Sequence, residues 1–374
     1  MEIISSLLHN ILPFICVLTI IVFVHEFGHF WVARRAGVKV EVFSIGFGKE
    51  LFGFNDKQGT RWKFCLIPMG GYVRMFGDKT AASQTDEELI KNLSEADQKI
   101  AFSCKSLPVK SAIVAAGPIA NYLFSVLIFA VFFMIYGYPS SEPLITQIMQ
   151  NSPASRAEVN PGDIVVEVNG QNIKSFNDIK NIMALNTGHD IKLLIKRNDQ
   201  LLEKQITPEK FIEKDLLGNE VVSYKLGIIT NNVKLEEQNI FTSTKLAFGE
   251  CYDLSLMTLK AMGQMIIGER GVKELGGPIK IAQYSAKSSE QGLQALLWFI
   301  ALLSVNLGLI NLMPIPVLDG GHLLIYLIEA ICGKKIASKI QNYGFQIGLI
   351  LIIMLTIFVM LNDLNSLNLF GHKG

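Results

Sequence analysis

The sequence predicts a polytopic α-helical membrane protein: four transmembrane helices, a β-hairpin element on the cytoplasmic face, and a small α/β domain inserted between the second and third spans. Three observations carry that expectation. Half of the 374 residues are hydrophobic and the mean hydropathy is positive, which disfavours a purely soluble chain. Four apolar stretches, about 7–33, 112–136, 293–313 and 343–361, reach the roughly 20 residues that a spanning helix needs. Between the second and third of them the chain turns polar and carries strand and turn signals. The 34 basic and 33 acidic residues, with no long basic tract, argue against a nucleic-acid partner. Cys16, Cys65, Cys104, Cys251 and Cys332 lie far apart without a CxxC pair, so they read as isolated thiols.

The first element, residues 1–36, has no Lys or Arg before Arg34 and no small-residue cleavage pattern. It is expected to stay in the mature protein as a span and not to be removed as a signal peptide. Arg34, Arg35 and Lys39 follow it, Lys105 and Lys110 precede the second span, and Lys334, Lys335 and Lys339 separate the third from the fourth. Basic flanks stay in the cytoplasm. The N-terminus, residues 137–292 and the C-terminus are therefore expected outside, although Lys280 and Lys287 weaken the contrast. The cytoplasmic region, 37–108, contains "RWKFCLIPMGGYVRMF", apolar on both sides of Pro68 and Gly70-Gly71. It reads as a hairpin or re-entrant element at the membrane surface.

After the second span, 109–137, comes "NPGDIVVEVNGQNIKSF" at 160–176. It predicts a turn, a strand alternating through Ile164, Val166 and Val168, and an Asn-Gly hairpin. "NDIKNIMAL" follows as a short helix, and "DIKLLIKRNDQLLEKQI" as two strands around Asn198-Asp199. This order, and "PGDIVVEVNG" above all, resembles a PDZ domain, a module whose groove accepts an extended peptide by strand addition. Glu158 stands where such domains usually have Gly. The PDZ domain is set at 141–212, followed by extracytoplasmic connecting helices over 213–292. "YKLGIIT" at 224–230 reads as a connecting strand and not as the start of a second PDZ domain, and 236–268 as an amphipathic helix. The third span covers 293–333 and the fourth 340–362.

The chemistry begins with "FVHEFGH" at 23–29. Residues four apart share one helix face, so His25 and His29 can offer two imidazoles to one ion, with Glu26 beside them. That HExxH pattern suits a zinc hydrolase in which a carboxylate takes a proton from water that the metal has acidified. By chance alone it should arise on the order of once in a hundred such sequences. Its position inside an apolar span strengthens the functional reading, because ionisable groups there are costly and are kept mainly for function.

A catalytic zinc needs a third protein ligand. His25 lies nine residues before Arg34, about 14 Å at helical rise, which places the site in the cytoplasmic half of the bilayer. The third span reaches the same depth at "NLGLINLMPIPVLDGGH", 306–322, where Asp319 is the only acid between Glu290 and Glu329. Pro314 and Pro316 should break the helix there, which is tolerated at membrane depth only inside protein or beside a wet cavity. Asp319 is the expected third ligand; a loop or N-cap place is its alternative. His322 is a further candidate, better suited to a cap or to a supporting place behind the ligands. His9, His189 and His372 read as ordinary surface histidines.

With these residues in hand the chain resembles the site-2 proteases, intramembrane zinc metalloproteases, and most of all the bacterial regulator of sigma-E protease branch. The resemblance covers nearly the whole chain. It rests on "HEFGH", "IPMGGYVRMFGD" at 67–78, "AAGPIANYLFS" opening the second span, the PDZ insert, "GGPIKIA" at 276–282 and "NLMPIPVLDGG". It implies one Zn²⁺ per chain on His25, His29 and Asp319, Glu26 as catalytic base, and substrate handling by Asn306 and Asn311. An extended substrate would be held at the strand edge around Gly70 and Gly71. The implied partners are the lipid bilayer and single-span membrane proteins such as anti-sigma factors or remnant signal peptides. The implied location is the bacterial inner membrane, with the PDZ domain outside. A membrane HExxH peptidase with a cytosolic catalytic domain is the rival enzyme, and a catalytically silent adaptor using its PDZ groove the rival of another class.

Overall fold

The structure is a computed structural model that describes residues 2–77 and 93–366. In chain order it has α1 (Glu2–Arg35), β1 (Val40–Asn55), β2 (Arg61–Met75), α2 (Glu95–Ile100), α3 (Leu107–Tyr136), β3 (Tyr138–Ser141), β4 (Gln147–Ile148), α4 (Pro153–Arg156), β5 (Ile164–Val168) and β6 (Gln171–Asn172). Then follow α5 (Phe176–Ala184), β7 (Ile191–Arg197), β8 (Gln200–Ile206), β9 (Glu209–Lys214), β10 (Glu220–Lys225), β11 (Ile228–Ile229), β12 (Val233–Glu236), α6 (Ile240–Ile266), α7 (Pro278–Glu290), α8 (Leu293–Leu312), α9 (Asp319–Cys332) and α10 (Lys334–Ser366). Two compact units emerge: Met1–Ile128 with Gly276–Gly374, and Phe129–Leu275.

The first unit holds the apolar helices. Among the described residues four are long and apolar enough to cross a membrane, Ile11–Arg35, Leu107–Tyr136, Leu293–Leu312 and Tyr343–Asn365, close to the four expected stretches. The third expected span, 293–333, is two helices: α8 stops at Leu312 and α9 starts at Asp319. Pro314 and Pro316 lie in that gap, where a missing N–H and a fixed φ end the helix. The helices meet through apolar contacts, with Val17 and Ile21 of α1 and Ile300 of α8 buried together. A polar seam joins α3 to α8: the Ser304 hydroxyl donates to the Asn121 carbonyl at 3.0 Å, and Ser125 shares its hydroxyl between Asn121 O and Ala301 O. Hydroxyls that satisfy carbonyls let helices approach in an apolar solvent.

The β-hairpin element is larger than expected. Its turn is at 56–60 and not at Gly70-Gly71: the Asp56 carboxylate accepts from the backbone N–H of Gln58 and Thr60, an Asx-type closure. Pro68, Gly70 and Gly71 sit inside β2. Residues 42–45 of β1 are flanked on both sides, Ile45 opposing Gly71 on one and Phe64 on the other, while Phe52 also opposes Phe64. The 71–75 segment therefore has β1 as its one described strand partner. Phe30, Phe43, Val73, Met75, Phe102, Ile113 and Val114 are buried as one core, which fixes the sheet against α1 and α3.

The second unit contains the insert, built around the sheet β6-β5-β7-β8. Both predicted two-residue hairpins are present. Asn169-Gly170 and Asn198-Asp199 all have positive φ, the type I′ geometry that matches strand twist. The predicted helix is α5, with Ser175 and Asp178 forming a reciprocal capping box. The alternation through Ile164, Val166 and Val168 does not hold: Val165 and Val168 are buried while Ile164 is 39 % exposed. A register shift between Val165 and Glu167 adds a residue to one strand and reverses the inward face.

The boundary at 212 also moves. Leu226 is buried in the same core as Val165, Leu193 and Ile195, and Ile228 pairs with Ile148, so "YKLGIIT" completes the module and does not lead away from it. Residues 213–236, expected to belong to connecting helices apart from the strand "YKLGIIT", hold the end of β9 and the strands β10, β11 and β12, and α6 is the amphipathic helix expected at 236–268. Glu158 has φ +58°, the left-handed conformation that explains why a glycine is usual there.

Candidate metal centre

Helix spacing puts the Nε2 atoms of His25 and His29, on α1, 3.3 Å apart. The chain reversal after α8 brings the Asp319 carboxylate to them from α9, with Oδ2 3.0 Å from His25 Nε2 and 3.5 Å from His29 Nε2. These three atoms form a triangle. A tetrahedral zinc with bonds of 2.0–2.1 Å separates its ligand atoms by about 3.3 Å, so the residues present fit the ion, and a donor set of two imidazoles and a carboxylate suits it. Asp319 opens α9, with Leu318 as its N-cap residue. Val317 before it has φ +82°, a strained conformation for a β-branched residue that costs on the order of 1–3 kcal/mol and is typically kept at functional sites.

The second span supplies the surroundings of both imidazoles. His29 Nδ1 is 2.8 Å from the Ile113 carbonyl. A Cβ on Gly117 would lie 2.3 Å from His29 Nε2, and one on Gly28 equally close to the Ala116 carbonyl. Only glycines admit α1 and the imidazole so near to α3. His25 Nδ1 faces the Asn121 side chain at 3.2 Å.

A cavity of about 290 Å³ opens on the triangle, lined by His25, Glu26, His29, Phe47, Gly70, Gly71, Asn311, Asp319 and His322 among others. Glu26 lies beside the strand, since a Cβ on Gly71 would come 3.1 Å from its Cγ. Of the residues singled out in the sequence, Glu26, Gly70, Gly71, Asn311 and His322 thus gather round the triangle. Asn306 is half-buried on α8 and does not line the cavity. The His189 side chain is 71 % exposed, as expected of a surface histidine. His372, Asp78 and the side chain of His9 lie outside the described residues.

Sequence reasoning missed Phe47, Gly117 and Asn121. Phe47 reaches the cavity through the fold of β1, which nothing in "IGFGK" announces. Asn121 had a signal, an amide inside an apolar span, but "AAGPIAN" served there only as a point of resemblance.

Comparison with known proteins finds similarity to zinc metalloproteases. The profile of peptidase family M50 matches residues 13–355. A protein of Rickettsia conorii, whose name marks it as a candidate zinc metalloprotease, is 43 % identical over 96 % of this chain and 99 % of its own length. A similarly named protein of Agrobacterium fabrum is 39 % identical over 96 % of each chain. The metalloprotease MmpA of Caulobacter vibrioides is 32 % identical, again over 96 % of each. Among solved structures, the PDZ domain of an SdrC-like protein from Listeria innocua is similar over 26 % of this chain and 100 % of that one, at 18 % identity and a TM-score of 0.21.

Proposed function

We propose that this chain, which belongs to peptidase family M50, the site-2 proteases, is an intramembrane zinc endopeptidase that cuts single-span membrane proteins inside their transmembrane segments. The observation that carries the reading is the Nε2, Nε2, Oδ2 triangle of His25, His29 and Asp319 with Glu26 on the same cavity. In it those three residues hold the ion and Glu26 is the base. The chemistry that zinc would supply there is Lewis acidity towards a peptide carbonyl and towards water. Glu26 accepts the proton of the attacking water and returns it to the departing amine, so no covalent enzyme intermediate is needed.

A substrate helix hides its peptide bonds in its own hydrogen-bond ladder, and the 71–75 segment of β2 offers the remedy. It has β1 on one side and Glu26 close to Gly71. An unwound substrate adds along its other side and gains main-chain hydrogen bonds in place of those it gives up. Asn311, across the cavity, contacts that extended segment. The insert acts as a PDZ domain whose groove is the cavity of about 410 Å³ bordered by Phe176, Ile179, Met183, Leu226 and Ile228. It admits substrates whose external part has been trimmed. The enzyme lies in a bacterial inner membrane with its site in the cytoplasmic half, and anti-sigma factors and remnant signal peptides are the substrate types this arrangement fits.

The test is trapping with Glu26→Gln in the native host. Loss of the base should slow cleavage by about 10²–10⁴-fold while zinc content stays at the wild-type level, and uncut single-span proteins should copurify with the variant. Cleavage by Glu26→Gln at the wild-type rate would sink the mechanism.

A further inference from the structure

We propose that Asn121, on the second span, is a positioning residue: its side-chain Oδ1 accepts the Nδ1–H of His25 and so holds that imidazole in the tautomer whose Nε2 can bind metal. This rests on the zinc reading above and adds to it a residue from a helix that supplies no ligand.

The two histidines differ in what fixes them. The partner of His29 Nδ1 is the Ile113 carbonyl at 2.8 Å, which can only accept, so in the neutral ring that nitrogen carries the proton and Nε2 keeps its lone pair. His25 Nδ1 instead faces an amide at 3.2 Å, which can present either a donor or an acceptor. As placed, the amide nitrogen faces the ring, and Asn121 Oδ1 is buried with no hydrogen-bond partner. That orientation requires the His25 proton on Nε2, aimed at His29 and Asp319, where it would block the ion. A half-turn about Cβ–Cγ exchanges two atoms of nearly equal shape and resolves the conflict without moving any other group. Oδ1 then accepts from Nδ1–H, and His25 matches His29.

Stability alone does not account for an amide here. Asn121 is 0 % exposed, and one of its two amide atoms, Oδ1 as it stands, has no partner, a cost of about 1–3 kcal/mol that an apolar side chain would avoid. Its aim is nonetheless fixed. The Asn121 carbonyl accepts from Ser304 and Ser125 at 3.0 Å each, which anchors its backbone between α3 and α8. Metal-bound histidines generally need such an acceptor on their other nitrogen, and removing it typically weakens metal binding 10–100-fold.

The full chain in detergent, as wild type, Asn121→Asp and Asn121→Leu, is loaded with zinc and titrated with a competing chelator. Its cobalt-substituted form is followed by visible absorption. An acceptor role predicts that Asn121→Asp holds zinc within about threefold of wild type with an unchanged cobalt spectrum, while Asn121→Leu binds about 10–100-fold more weakly with an altered one. A packing role predicts the reverse order, because a buried carboxylate without a partner is far worse than an apolar side chain of similar size. Leu within threefold of wild type, or Asp as weak as Leu, overturns the assignment. If Asn121→Leu does not fold, the Asp variant decides alone: a tenfold loss of zinc overturns the assignment and retention upholds it. A wild type that takes up no zinc would overturn the metal site as well, whereas a zinc-binding wild type with an indifferent Asn121 overturns this inference only.

Discussion

Asp163 in the insert and Asp319 in the membrane unit are both shielded carboxylates, held in opposite ways. The Asp163 side chain, 1 % exposed, accepts from Arg197 Nε and Nη2 at 2.7 and 2.8 Å and from the Asn160 backbone N–H at 2.8 Å. Its charge is answered by a guanidinium fork from the neighbouring strand, so the group secures the fold. Asp319 faces two imidazoles within 3.5 Å, across a cavity, next to a strained Val317. A carboxylate left to such partners suits a ligand, and the contrast separates a buried charge kept for structure from one kept for chemistry.

Crossed substitutions break or sharpen that contrast. The largest effect is expected from Asp319→Ala, which should abolish cleavage and tight zinc binding while leaving the insert's protease resistance unchanged. Stoichiometric zinc in that variant, measured by elemental analysis, would remove Asp319 from the ligand set. Next in size, Asp163→Ala should cost the insert about 1–3 kcal/mol, because the Asn160 N–H loses its acceptor and Arg197 its carboxylate, while the bond from Arg197 to the Glu158 carbonyl remains. Amide exchange in β5 and β7 of the full chain reads this out, and zinc content should not change. An insert that tolerates Asp163→Ala would erase the distinction.

A pH series asks the same question more gently. Burial disfavours the charged form of Asp163, but the hydrogen bonds from Arg197 and Asn160 outweigh it and hold the carboxyl below its ordinary range. A depressed folded value means the unfolded chain binds the proton more readily. The stabilisation is therefore complete above the unfolded value of about 3.9 and is lost as pH falls through the folded one. The protection of the β5 amides, taken relative to their intrinsic exchange rates at each pH, should stay constant from pH 7 to about 5 and fall below about 4, with a shallower acid dependence in Asp163→Asn.

How much of each region could be read in advance follows the same division. The HExxH pair is local, set by helical periodicity alone, and Asp319 stood out as a lone acid in an apolar run, so the triangle was legible. The insert's hairpins were too, because Asn-Gly and Asn-Asp fix their turns within two residues. What escaped depends on distant contacts. Phe47 and the 71–75 edge need the curl of β1 against two segments of β2, Leu226 closes its core from more than 50 residues after Val168, and Val166 is displaced by a bulge that single-strand alternation cannot foresee. Gly117 and Asn121 acquire meaning only once α3 lies against α1.

The smallest predicted effect tests the insert's one departure from the pattern it resembles. Glu158 holds φ +58°, where a side chain is strained and glycine is not. Its exposed contact with Lys204 at 3.4 Å is of the kind that contributes little, and the bond from Arg197 goes to the Glu158 backbone carbonyl, which any residue supplies. Glu158→Gly should therefore stabilise the insert by about 0.5–1 kcal/mol, the relief of strain exceeding the extra entropy that glycine gives the unfolded chain. A shift of the insert's melting to higher temperature in the full chain, without change in zinc binding, is the expected result. Destabilisation would mean that the Glu158 side chain is needed where it stands, and that the departure from glycine is selected for in this chain and not merely tolerated.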